Sequence, residues 1–163
     1  MEPRLDYGKA APGAVNAMLG LEKYLHACSL EEGLIHLVKL RVSQINGCAY
    51  CLDMHWKDLR ALGESELRLY ELAAWEETDF YSERERAALA FAEALTAVAE
   101  THVPDAVYAE ARRHFSDTEL VDLALCVATI NAWNRLAITF RAPAGTYQPR
   151  SVSTVATAAR SGA

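Results

Sequence analysis

Three Ser-x-x-Glu pairs, Ser29 with Glu32, Ser82 with Glu85 and Ser116 with Glu119, each stand at the head of a long run with helical apolar spacing. In such a pair the serine hydroxyl and the glutamate carboxylate reciprocally satisfy backbone N–H groups that a helix start leaves free. No sustained apolar–polar alternation and no Asn-Gly hairpin between β-branched runs accompanies them, so strand signals are nearly absent. The pattern predicts an all-α chain.

The first pair opens a run in which Leu34, Leu37, Val38, Leu40 and Val42 trace an apolar stripe ending at Asn46-Gly47. A shorter helix, "GAVNAMLGLEKYLH", precedes it. "CLDMHWKDLRALG" and "SELRLYELAAW" follow, with Gly63 as a C-cap between them. The second pair opens the alanine-rich "ERERAALAFAEALTAVAE", and Pro104 suits the first turn of "PDAVYAEARRHF". The third opens "TELVDLALCVATINAWNRLAITF", apolar nearly all round, which is expected at the centre of a bundle or an oligomer interface. The sum is a bundle of about seven helices. Val42, Ile45 and Asn46 recur in register as Val127, Ile130 and Asn131, a faint sign of duplicated hairpins. Residues 1–150 read as a single domain and residues 151–163, small and polar, as a flexible or docked tail.

The chain's 163 residues, 52% of them hydrophobic, suffice for a core without disulfide or metal staples. No unbroken apolar run reaches the roughly 18 to 20 residues that span a bilayer. The net charge of −6, with no basic patch, argues against nucleic acid or an anionic membrane as partner. The N-terminus has no apolar core of a signal peptide, so the expected location is the cytoplasm. Thiols are kept reduced there, and a close cysteine pair points to catalysis or metal binding rather than to a structural bridge.

That pair lies in "INGCAYCLDMH". If a helix starts near Cys48, then Cys48, Cys51 and His55 fall at roughly 0°, 300° and 340° around its axis, on one stripe. Cys51 then reaches both Cys48 and His55. A helix N-terminus favours thiolate over thiol, and an imidazole nearby can take or return the proton. A thiolate so placed attacks peroxide oxygen, becomes a sulfenic acid, and is captured by the second thiol as a disulfide. The residues alone leave open which cysteine attacks, although the i, i+4 placement of His55 favours Cys51. A zinc site needs about four ligands and the motif supplies three, with no second C-x-x-C in the chain, so no metal is expected. Covalent haem needs a histidine where Leu52 stands, and a thioredoxin-type motif needs a βαβ unit. No nucleotide or flavin motif is present, so no cofactor is expected.

"LRVSQINGCAYCLDMH", with "GESELRLYELAAWEETDFYSERERAALAFAEALT" and "INAWNRLAITFR", resembles the alkylhydroperoxidase D-like (AhpD-like) group of the carboxymuconolactone decarboxylase superfamily. The resemblance runs from about residue 12 to 149. It implies an all-α homo-oligomer, trimeric or hexameric, and a thiol peroxidase cycle on hydrogen peroxide or organic hydroperoxides, reset by an external dithiol or protein thiol. It makes Cys51 the peroxidatic cysteine, Cys48 the more exposed resolving cysteine, and His55 part of a proton relay. Family members commonly carry a relay glutamate twelve residues before the first cysteine; this chain has His36, which can shuttle protons near neutral pH. A lyase of the decarboxylase branch, or a redox sensor using the same disulfide, are the alternatives.

The remaining candidates read as ordinary structure. Cys28 and Cys126 are expected to be buried thiols, and His26, His102 and His114 solvated or dipole-stabilised imidazoles. Tyr50 is expected beside the thiols, and Trp56 and Trp75 in the core or an interface. Asn131, Asn134 and Arg135, polar in so apolar a helix, need partners across a packing or subunit interface.

Overall fold

The computed structural model describes residues 2–149, and every regular element among them is helical. In chain order these are α1 (Tyr7–Ala10), α2 (Pro12–Leu25), α3 (Glu32–Asn46), α4 (Ala49–Ala61), α5 (Glu66–Glu71) with a 3₁₀ segment (Leu72–Glu77), α6 (Glu83–Thr96), α7 (Val98–Thr101), α8 (Asp105–His114) and α9 (Asp117–Phe140). The all-α class holds, with α1 and α7 as single turns added to the expected helices. The expected tail, residues 151–163, lies outside the described residues.

Two of the three capping boxes form with both halves in place, Ser82 with Glu85 and Ser116 with Glu119. The third does not. Leu30 is pressed into the core, α3 begins only at Glu32, and Glu31 holds the N-cap position without a side-chain cap bond. Ser29 is thereby left outside the helix start. The expected long helix from Glu83 also breaks, at Ala97 (φ −94°, ψ 33°), and Pro104 caps α8 rather than entering it.

Helix α9 packs against α2, α3, α4, α6 and α8. Val38 and Val42 of α3, Ala88 and Ala92 of α6, and Leu123, Val127 and Ile130 of α9 are buried in one cluster. The alanines let α6 approach closely. By length and mean hydropathy α9 would suffice to cross a membrane, though no unbroken apolar run does. In this bundle its polar residues bond inward instead: Tyr24 donates to Asp122 at 2.8 Å, and Asn134 donates to Ser43 at 3.1 Å.

The α3–α4 corner sets the site. Gly47 takes the left-handed conformation (φ 67°, ψ 34°), and the Cys48 N–H donates to the Ser43 carbonyl at 3.0 Å. Beside it, Asn46 donates to Asn131 at 3.0 Å and to Asn134 at 2.8 Å. The two asparagines of the sequence echo, Asn46 and Asn131, thus meet across the bundle. Arg135 in turn donates to Asn131, which gives the polar residues of α9 the packing partners they required.

A Cβ on Gly47 would meet nothing within 4 Å, so Gly47→Ala isolates the backbone cost of positive φ. It should destabilise the protein by about 1 to 2 kcal/mol in urea unfolding. Gly33→Ala, at a helical position with equally open space, should stabilise it by about 0.5 to 1 kcal/mol.

Candidate active site

Cys48 is the N-cap of α4 (φ −86°, ψ 94°), and its sulfur accepts the Cys51 N–H at 3.4 Å. One turn inside the helix, the Cys51 sulfur lies 2.6 Å from that of Cys48, both cysteines being free. This is well inside ordinary contact between two sulfurs and close to the disulfide bond of about 2.05 Å. The expected exposure of Cys48 is not met: it is 1% exposed and Cys51 2%, because α9 covers the corner and brings the Asn134 amide to both sulfurs. Cys51 lines a cavity of about 890 Å³; Cys48 does not.

The pair titrates asymmetrically. A hydrogen bond from the Cys51 thiol draws the Cys48 pKa down to about 7 against the opposing effect of burial, helped by the Cys51 backbone, Asn134 and the Tyr50 backbone. The same bond, then burial and the Cys48 charge, pushes the Cys51 thiol up. Either sulfur could donate on distance alone. Cys48 is favoured as acceptor because it also takes the backbone N–H groups of the helix start. The first thiolate therefore forms on the sulfur away from the cavity, with its proton donor facing the cavity.

His55 follows Cys51 by one turn of α4. Its Nδ1 lies 3.1 Å from Nδ1 of His36, on α3, and both rings are buried. Burial, followed by the Lys39 charge, lowers His36 to about 4. Burial also holds His55 well below the usual imidazole value, with His36 and Lys39 adding to the effect. Both are neutral near pH 7, one Nδ1 donating to the other. The Lys39 ammonium is itself paired with Glu22 at 2.5 Å, and Glu22 also accepts from Trp133 Nε1 at 2.9 Å on the cavity wall.

The structure adds residues not singled out in the sequence. Asp58 Oδ2 lies 3.7 Å from His36 Nδ1 and 4.0 Å from His55 Nδ1. Its spacing, three after His55 and seven after Cys51, puts it on the same stripe of α4, a signal that was legible. Tyr147 donates to Asp58 Oδ1 at 2.7 Å. It sits on a strap after α9 that is tied to α4 through Lys57 Nζ to the Tyr147 carbonyl (2.9 Å) and the Gly145 N–H to Asp53 (3.0 Å). No local pattern marks that contact, which joins residues 89 apart. His36, His55 and Asp58 bring three metal-ligating atoms within 4.8 Å of one another; the cysteines are not in this group.

The other candidates separate. Cys126 is fully buried and pushed up to about 12 by burial, whereas Cys28 is only half-buried. His102 is exposed and His114 bonds Glu110 at 3.0 Å, while His26 reaches the cavity rim. Tyr50 lines the cavity beside Cys51, and Trp75 is buried with Trp56 packed against its cluster.

This bundle, with its dithiol at a helix start, belongs to the carboxymuconolactone decarboxylase family, whose model matches residues 11–94, as an AhpD-like member. The chain is 44% identical over 138 residues to the uncharacterized protein YdfG of Bacillus subtilis (strain 168), covering 85% of this chain and 94% of that one. It superposes with a TM-score of 0.87 on a protein of Agrobacterium tumefaciens described as a putative antioxidant defence protein AhpD, at 43% identity, covering 90% of this chain and all of the other. The debrominase Bmp8 in complex with 2,3,4-tribromopyrrole shares the fold, with a TM-score of 0.76 at 23% identity over 85% of this chain and 74% of that one.

Because the Cys51 thiol is the leading cause of the lowered Cys48 pKa, Cys51→Ala should move Cys48 ionisation from about pH 7 up toward the ordinary thiol range. Ultraviolet thiolate absorbance across a pH titration of the variant and the wild type reads the shift.

Proposed function

We propose that the protein is a thiol-dependent peroxidase that reduces hydroperoxides through a Cys48/Cys51 dithiol–disulfide cycle. The observation that carries this reading is the pair of free sulfurs 2.6 Å apart at a helix N-terminus, of which Cys51 faces a cavity. Cys51 passes its proton to the Cys48 thiolate and attacks the terminal peroxide oxygen. The O–O bond breaks, Cys51 becomes a sulfenic acid, and the departing alkoxide takes a proton to leave as the alcohol. The Cys48 sulfur then displaces water from the sulfenic acid and closes the disulfide. His55, with His36 behind it in place of the relay glutamate, gives the alkoxide its proton and is reprotonated from solvent, while the proton that Cys48 took from Cys51 leaves with the water. An external dithiol or protein thiol restores both cysteines.

Hydrogen peroxide needs little room, whereas a cavity of about 890 Å³ lined by Tyr7, Met54, Ile130 and Trp133 suits an organic hydroperoxide. Exposed Leu19, Tyr24, Val121 and Ile138 suit assembly into a homo-oligomer, trimeric or hexameric by analogy with the family. The reducing cytoplasm fits a cycle that begins with free thiols. The decarboxylase chemistry in the family's name does not require two thiols, and nothing at the site favours it. A redox sensor would oxidise once, where a peroxidase turns over with excess donor.

Consumption of cumene hydroperoxide with a dithiol donor should fall at least about a hundredfold in Cys51→Ser, since the nucleophile is lost. In Cys48→Ser a single turnover should leave a trappable sulfenic acid. Full turnover in Cys51→Ser would overturn the assignment.

A further inference from the structure

We propose that His36, His55 and Asp58 form a binding site for one divalent transition cation of the zinc type, opening on the same cavity as the dithiol. The edges of the triangle made by the two Nδ1 atoms and Asp58 Oδ2 are 3.1, 3.7 and 4.0 Å. The point equidistant from its corners lies roughly 2.1 Å from each, the length of a bond from zinc to imidazole nitrogen or carboxylate oxygen.

The donor types agree with the geometry. Two neutral imidazoles and a carboxylate are a set that zinc and its neighbours in the first transition row accept. Binding moves the ring proton of the donating imidazole from Nδ1 to Nε2, so that both Nδ1 atoms present lone pairs to the cation while both rings stay neutral. Three protein ligands leave a coordination position on the cavity side for water or a substrate oxygen, as in open zinc sites. The second oxygen of Asp58 is held by the Tyr147 hydroxyl at 2.7 Å, the outer hydrogen bond that orients a ligating carboxylate. Lys39, the cation whose charge reaches both imidazoles, is offset by its ion pair with Glu22. Binding does not rest on the peroxidase reading. Its consequence does: the cation occupies the lone pairs through which His36 and His55 exchange a proton, so a loaded site and an active relay exclude each other.

The test is a cobalt(II) titration of the full chain carrying Cys48→Ser and Cys51→Ser together, which removes the dithiol as a rival ligand. One equivalent should bind with visible ligand-field bands and no sulfur-to-cobalt charge transfer, and zinc should displace it. Adding Asp58→Asn or His36→Gln should weaken binding at least about tenfold. Tyr147→Phe, which deletes only the outer hydrogen bond, should weaken it by about 10- to 100-fold. No binding at micromolar cobalt in the double-serine protein would overturn the site, as would equal affinity in Tyr147→Phe and in a folded Asp58→Asn or His36→Gln variant. The titration uses no peroxide, so absence of hydroperoxide turnover defeats the peroxidase reading without touching this one.

Discussion

The left-handed turn at Gly47 is the constraint on which the site depends. It ends α3, redirects the chain, and makes Cys48 an N-cap instead of a residue inside a helix. Only from that position does the Cys48 sulfur take backbone N–H groups while lying one helical turn from Cys51. Asn46, adjacent to the turn, is fastened to Asn131 and Asn134 of the central helix. Leaving the buried Asn134 amide without its partner costs about 1 to 3 kcal/mol, so the corner has little freedom to relax. The Asn134 that anchors the corner also touches both sulfurs, which links the packing of α9 directly to thiol chemistry.

Burial then divides the labour among the titratable groups. Desolvation disfavours charge, yet the N-cap sulfur overcomes it with a thiol donor and backbone donors and ionises near neutrality. The two histidines have no such compensation and remain neutral, with Nδ1 facing Nδ1. Two uncharged imidazoles in contact can hand a proton on or, in the proposal above, hold a metal ion together with Asp58 at their edge. Tyr147 ties that carboxylate to the strap after α9, whose Gln148 and Pro149 continue along the cavity wall.

The helical class was legible because helix starts, apolar spacing and the absence of strand patterns all agreed. Cys48, Cys51 and His55 were legible as a group because one helical stripe holds all three, and the same stripe held Asp58. Local pattern failed where tertiary packing decided the outcome. The spacing of Ser29 and Glu32 predicts a cap, but burial of Leu30 fixes where α3 begins. The family resemblance makes Cys48 the more exposed of the two thiols, but α9, about 85 residues further along the chain, covers it. Tyr147 carries no sequence signal at all, since its role depends on where a loop lands after α9.

The central claim is that Cys48 and Cys51 alone make up the redox couple. It is tested most directly by treating the fully reduced, folded protein with one equivalent of hydroperoxide and counting thiols before and after, each sample denatured without reductant, with peptide mapping of the product. The account predicts a fall from four thiols to two, with a Cys48–Cys51 disulfide and with Cys28 and Cys126 intact. Retention of all four thiols, or a disulfide that includes Cys28 or Cys126, would contradict it.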